Sequence, residues 1–111
     1  MMAKFKDFSP IEKIDYAARY IIIHSIIYYE LHESVISDSK FDKKSAILVK
    51  LMKKYPKTTK KSPYYKAIHD FDGTTGFHLY YRLTKEEQKY HMMIARHVLY
   101  LYKRRYLNEG S

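Results

Sequence analysis

The chain contains no cysteine and no tryptophan, three glycines, three prolines, and 12 acidic residues against 21 basic ones. Without cysteine there is neither a disulfide framework nor a thiolate metal site. An intracellular protein needs neither, and the cytoplasm of a bacterial host is the expected location. The shortage of acids leaves a formal net charge of +9 over 111 residues. Charge of that sign points to an anionic partner, nucleic acid ahead of membrane. Long apolar runs are also missing. The longest cluster, Tyr20 to Tyr29, is interrupted by His24 and Ser25, far short of the roughly 20 residues that span a bilayer. The opening stretch MMAKFKDFSP has no apolar segment long enough for a signal peptide. A soluble protein without a membrane partner is expected. There are no internal repeats and no low-complexity tail, and the length suits one domain, residues 1–111, with a single modest core.

What the chain does have is tyrosine, 13 residues, including the adjacent pairs Tyr28–Tyr29, Tyr64–Tyr65 and Tyr80–Tyr81. Neighbours on a helix point about 100° apart, so each pair should set one ring inward and one near the surface. Such rings suit a binding face or, equally, the margin of a core.

Helix signals recur along the chain. Ser9-Pro10-Ile11-Glu12 is a capping box with proline at the first helical position. The helix that follows should run to about Leu31, and its broad apolar surface predicts a central element packed on two sides. Ser37 or Ser39 starts the next helix, with Asp38 in the first turn if Ser37 is the cap. Phe41, Ser45, Leu48, Met52 and Tyr55 form its inner stripe, and Pro56 ends it. Lys57 to Pro63 reads as a polar connection, and YYKAIHDF as one or two helical turns. Asp72-Gly73-Thr74-Thr75-Gly76 is a turn, and Phe77 to Leu83 is either a short helix or a strand. Thr84-Lys85-Glu86-Glu87 is a second capping box. It opens a long helix carrying Tyr90, Ile94, His97 and Leu101 on one stripe, widened by Met93, Val98 and Tyr100. The fold class is therefore all-α: three long helices plus one or two short ones.

The stretch between the first two long helices concentrates chemistry. Tyr28, Tyr29, Asp38, Phe41 and Asp42 put three rings and two carboxylates within fifteen residues, enough for a cup around a flat, polar ligand. The pattern Tyr28-Tyr29, then Ile36-Ser37-Asp38-Ser39-Lys40-Phe41-Asp42, then a basic helix stopped at Pro56, resembles the small N-terminal helical domain, Ia, of bacterial NAD+-dependent DNA ligases. It covers 33 residues, His24 to Pro56, and implies a ligase-Ia-like helical hairpin. In those ligases these positions hold the nicotinamide mononucleotide (NMN) half of NAD+. The resemblance implies that Tyr28 and Tyr29 flank the nicotinamide and ribose. Asp38 and Asp42 would accept hydrogen bonds, and Phe41, replacing the family's tyrosine, would stack without its hydroxyl. His32-Glu33-Ser34 departs from the family's Asp-x-Pro, so the turn itself differs.

Ligation is excluded. The reaction needs the lysine of Lys-x-Asp-Gly in a large nucleotidyltransferase domain. The nearest string, Asp70-Phe71-Asp72-Gly73, carries aspartate in its place, which cannot form the phosphoramide. The six histidines include no HExxH and no pair spaced for zinc. Asp70, Asp72 and Gly73 echo the start of a calcium loop, but its twelfth position is Tyr81 rather than glutamate. No catalysis of its own, no required cofactor and no metal are expected.

The basic residues fall into three groups: Lys43, Lys44 and Lys50; Lys53, Lys54, Lys57, Lys60 and Lys61; and Lys103, Arg104 and Arg105. Lysines neutralise phosphates without reading sequence, and Tyr64 and Tyr65 beside them are candidates for stacking on unpaired bases. The leading expectation is a basic binding module, an accessory protein of a bacteriophage or mobile element. It would engage nucleic acid or a host nucleoprotein, as an inhibitor of a host defence nuclease of the anti-CRISPR kind. The alternatives are a module that retains the site for NMN or NAD+, and an inhibitor directed at a host protein through its tyrosines.

Overall fold

The structure, a computed structural model, describes residues 4–109, with side chains as far as Tyr106. The first three residues of the opening stretch lie outside the described part. Every regular element among the described residues is helical. The three long helices are α1 (Pro10–Ser25), α2 (Asp38–Lys54) and α5 (Lys85–Glu109). The short ones are α3 (Pro56–Thr59) and α4 (Tyr65–Ile68). Two 3-10 turns, Phe5–Asp7 and Tyr80–Arg82, complete the inventory. No helix among the described residues is long and apolar enough to cross a membrane.

α1 is the central element, as its apolar surface requires. Both halves of its capping box form: Ser9 N–H donates to Glu12 Oε1 at 3.0 Å, and Glu12 N–H to Ser9 Oγ at 3.4 Å. Ile14, Ala18, Ile21 and Ile22 are fully enclosed, and burial of each isoleucine contributes about 1.5–3 kcal/mol. The β-branched run Ile21–Ile23 favours strand in isolation. Enclosure of all three residues within a capped helix overrides that preference.

α2 packs antiparallel to α1, so that Lys44 lies over the Tyr20 ring at 5.4 Å from its centroid. α5 runs parallel to α1, with Arg19 over the Tyr90 ring near one end and a Lys103–Glu33 ion pair, 2.8 Å, near the other. Its capping box also forms, through Thr84 and Glu87.

Two expectations need correction, and one pair of alternatives is decided. Pro56 ends α2, but it also opens α3, because its fixed φ suits a first helical position and Tyr55 turns the chain between the two helices. Phe77 to Leu83 is not a strand: of the two alternatives the short helix holds, as the single 3-10 turn Tyr80–Arg82 after a turn that buries Leu79. The inner face of α5 keeps Ile94 and Val98 of the predicted stripe, packed against the core, and is otherwise displaced by about one residue. His91 and Ala95 are buried, whereas Tyr90 (47% exposed), His97 and Leu101 (48% exposed) face outward. Small Ala95 lets α5 approach α1 closely, and His91 finds internal hydrogen-bond partners, so two weakly apolar residues displace two strongly apolar ones.

That histidine anchors a closed polar cluster. His91 Nδ1–H donates to the Glu87 carbonyl at 2.7 Å, which leaves Nε2 to accept from the Tyr64 hydroxyl at 2.8 Å. Arg19 Nε–H donates to the same hydroxyl at 3.2 Å. Nearby, Tyr64 N–H donates to Ser62 Oγ, and Ser62 donates to Asp15 at 2.6 Å.

Candidate functional site: a cavity where the first two long helices meet

The last turn of the first long helix is wound wider than an α-helix. Ile26–Glu30 form a π-turn, closed by a Leu31 N–H bond to the Ile26 carbonyl. His32 then takes a left-handed conformation, φ 55°, and Glu33 N–H reaches back to the Ile27 carbonyl. This is a glycine-type helix stop widened by one residue and built on histidine. The extra residue in the turn rotates Tyr28 and Tyr29 away from where a regular helix would carry them. π-turns often coincide with functional sites for that reason.

Ser34 to Ser37 return the chain to α2. Ser37 is the cap, accepting from Lys40 N–H at 3.1 Å, and Asp38 sits in the first turn. The result is a cavity of about 310 Å³. Its walls are His24, Ser25, Ile27, Tyr28 and Tyr29 from the first helix, Ser34 to Ser37 from the return, and Asp38, Phe41 and Asp42 from α2. All five residues expected to form a cup line this one cavity. The Tyr28 and Tyr29 rings meet edge-on at 4.9 Å. Tyr28 is half-open to solvent, and Asp38 and Asp42 are exposed.

Both carboxylates lack a hydrogen-bonding or ionic partner among the described residues. Asp7 and Glu86 are likewise without one, whereas Asp15, Asp70, Asp72, Glu12, Glu30, Glu33 and Glu87 are each held by a neighbour.

One wall of the cavity was missed by the reading of the sequence. Thr74 lines it, carried by the loop 72–77. Asp72 shapes the loop, accepting from Thr74 N–H at 3.0 Å and from the Thr74 hydroxyl at 2.6 Å. Tyr29 reaches the loop through a 2.9 Å hydrogen bond between its hydroxyl and that of Thr75. Two glycines let the loop dock. Gly73 has φ 92° and lies against Val49. A methyl group on Gly76 would fall 2.0 Å from Ser25 Oγ, so no other residue fits there without movement. The two bracketing glycines around Thr74-Thr75 were the available signal. They mark a loop that backbone must approach closely.

His24 and Ser25 were also not singled out for the site. Burial pushes the His24 imidazole down to about 4, and Lys40 nearby adds to the effect. The ring packs on Tyr20 at 4.4 Å. Ser25 Oγ is buried in the cavity wall without a hydrogen-bond partner.

The residues expected to meet nucleic acid are not gathered in one place. Lys43, Lys50, Lys53 and Lys54 on α2, and Lys57, Lys60 and Lys61 on and after α3, are exposed, and Lys44 is half-buried. The α3 end lies beside the first half of α1, where Ser62 bonds Asp15. Lys103, Arg104 and Arg105 lie at the other end of α1, where Lys103 pairs with Glu33. Tyr64 cannot stack on a base: it is 8% exposed, and its hydroxyl is committed to His91 and Arg19. Tyr65 is half-buried, its ring against His69 at 5.6 Å.

Among the described residues, no group of three or more histidine, aspartate or glutamate side chains is placed to hold a metal ion. No protein-family model matches the chain, and no curated protein or solved structure is detectably similar to it.

Proposed function

We propose that this chain is a non-catalytic binding module for a nicotinamide nucleotide, with a site of the ligase-Ia kind at the α1–α2 turn. The observation that carries this reading is the convergence of Tyr28, Tyr29, Asp38, Phe41 and Asp42 on a single cavity of about 310 Å³. Three aromatic rings offer faces to a flat ring, favourably so when that ring is cationic. Two unpaired carboxylates offer acceptors for ribose hydroxyls or a carboxamide. The orphan hydroxyl of Ser25 adds a further polar group in the wall.

The test is titration calorimetry with NMN and NAD+, with circular dichroism as a control for folding. Wild type is expected to bind NMN. Tyr28→Ala and Asp38→Ala are expected to abolish binding while the helical signal persists. A wild type that binds neither compound at millimolar concentration removes the reading.

A second reading, engagement of nucleic acid or a nucleoprotein, is favoured by a separate observation. Among the described residues, none of Lys43, Lys50, Lys53, Lys54, Lys57, Lys60 and Lys61 forms an ion pair with a carboxylate. Charge reversal at Lys53, Lys54, Lys60 and Lys61 is then expected to weaken binding to DNA or RNA and flatten its salt dependence. An unchanged salt slope removes this second reading.

A further inference from the structure

The cavity carries its carboxylates on one side, and beyond its His24 edge, outside the lining, the α1–α2 groove carries Tyr20, Lys40 and Lys44. Asp38 and Asp42 are one turn apart on one stripe of α2, and Lys40 and Lys44 are one turn apart on another. Two residues along a helix amount to roughly 200° of rotation, so the acidic and basic stripes flank Phe41 on opposite sides. On the acidic side stand the tyrosine pair and the loop bearing Thr74. On the basic side stand Tyr20 and His24 of α1. His24 lines the cavity, its ring packs on Tyr20 at 4.4 Å, and the Lys44 ammonium lies 5.4 Å from the Tyr20 centroid. The contacts therefore run without a break from the cavity wall to a lysine one turn farther down the α1–α2 groove.

Neither lysine is neutralised. Among the described residues, neither Lys40 nor Lys44 forms an ion pair. His24, which burial and Lys40 push down to about 4, adds no positive charge of its own to this edge at neutral pH. The mouth of the cavity also coincides with the N-terminus of α2, a helix of 17 residues, whose dipole favours negative charge. Asp38 uses that preference on one side of the mouth, and the lysine stripe extends the positive field on the other.

We propose that the Tyr20–His24 edge of the cavity, flanked by Lys40 and Lys44, is a phosphate subsite. It selects a zwitterionic mononucleotide over the corresponding neutral-tailed nucleoside. The cationic ring of the ligand lies against Tyr28, Tyr29 and the carboxylates, and its phosphate lies toward the lysines. This inference rests on the nucleotide-cup reading and adds the polarity of the bound ligand. Lysine serves such a site as a mobile point charge: Lys40 is exposed, and Lys44 is half-buried with its ammonium held over Tyr20.

The experiment compares NMN with nicotinamide riboside by titration calorimetry, in wild type and in the double variant Lys40→Ala/Lys44→Ala. A second double variant, Lys50→Ala/Lys53→Ala, farther along α2, controls for net charge. Lys40, Lys50 and Lys53 are exposed and Lys44 is half-buried, and alanine is the strongest helix former, so the helix is retained. Wild type is expected to bind the mononucleotide about tenfold more tightly than the riboside, the scale of a charge-assisted contact. Lys40→Ala/Lys44→Ala is expected to bring the mononucleotide down to the level of the riboside and to leave the riboside unchanged. The control variant is expected to keep the tenfold preference. Equal binding of the two compounds by wild type, or equal losses in the two double variants, overturns the phosphate subsite and leaves the cup reading standing. Binding of neither compound overturns both.

Discussion

Two polar clusters sit on α1, about three turns apart, and they are built to opposite rules. Around Tyr64 and His91 the polar atoms find partners inside the protein: imidazole, phenol, guanidinium and backbone carbonyl form one chain of hydrogen bonds. Around Tyr28 and Asp42 the groups point into a cavity or solvent, two carboxylates stay unpaired, and Ser25 Oγ is left orphaned. A buried polar group without a partner costs free energy, and folds generally remove that cost by pairing. The first cluster has been closed by the fold for the sake of the fold. The second has been left open. A fully satisfied network holds helices in place, and an unsatisfied one is available to bind.

The largest expected effect comes from filling the space behind the open cluster. Gly76→Ala sets a methyl group 2.0 Å from Ser25 Oγ, forcing the loop from α1 at a cost of about 3 kcal/mol. Thermal melting should show the loss, and ligand titration a parallel loss of binding as Thr74 moves away. Next is the closed cluster. Tyr64→Phe leaves His91 Nε2 without its donor, which should cost about 1–3 kcal/mol in chemical denaturation. Ligand binding should stay unchanged. Loss of binding in that variant would mean that the two clusters are coupled rather than contrasted.

A pH experiment separates the clusters further. The folded state depresses the His24 pKa to about 4 from an ordinary value of 6.5. In that window the unfolded chain binds the extra proton, so stability is full above pH 6.5 and declines as pH falls toward 4. Because the ring is partly solvated, the decline attributable to it is about 1–2 kcal/mol, below full conversion of the shift. His24→Gln should flatten that segment of the profile, measured by denaturation at stepped pH. The Arg82 guanidinium holds Asp70 down at about 2, and Asp72 is lowered by Thr74. Their contributions fade only below the ordinary carboxylate range, so the windows do not overlap.

Smaller effects sharpen the contrast. Ser45 Oγ is also buried and orphaned, but Ser45 does not line the cavity. Ser45→Ala should be neutral or stabilising by up to about 1 kcal/mol with binding intact, whereas Ser25→Ala should match it in stability and weaken ligand binding. Smallest in stability is Asp42→Asn, within about 0.5 kcal/mol of wild type yet strongly impaired in binding NMN. A large stability loss there would make Asp42 a structural residue.

Much of the fold was legible because its determinants are local. Both capping boxes formed where their residues stand, Ser37 capped α2, and the isoleucine-rich helix took the centre. The cup was legible for a related reason. Tyr28 to Asp42 is one short hairpin, and its return is too brief to carry the two halves apart. The inner face of α5 was legible only at Ile94 and Val98. It depends on Ala95 admitting a close neighbour and on His91 finding partners from α4's approach and from its own preceding turn, and hydropathy scores both residues as poor core. The basic groups behaved likewise: proximity along the chain joined the α2 and α3 lysines, but only packing set Lys103 at the far end of α1.

By itself the amino-acid sequence determined the helical class, the starts of the long helices and the residues of the candidate cup, because caps, periodicity and a short turn act within a few residues. The tertiary structure alone decided that Tyr64 is an interior ring and that the loop bearing Thr74 closes the cavity. It also decided that Tyr20, with Lys44 over its ring, packs on His24 at the cavity edge. Those outcomes depend on which surfaces meet across tens of residues, where two glycines, one alanine and a hydrogen-bonded histidine count for more than hydropathy.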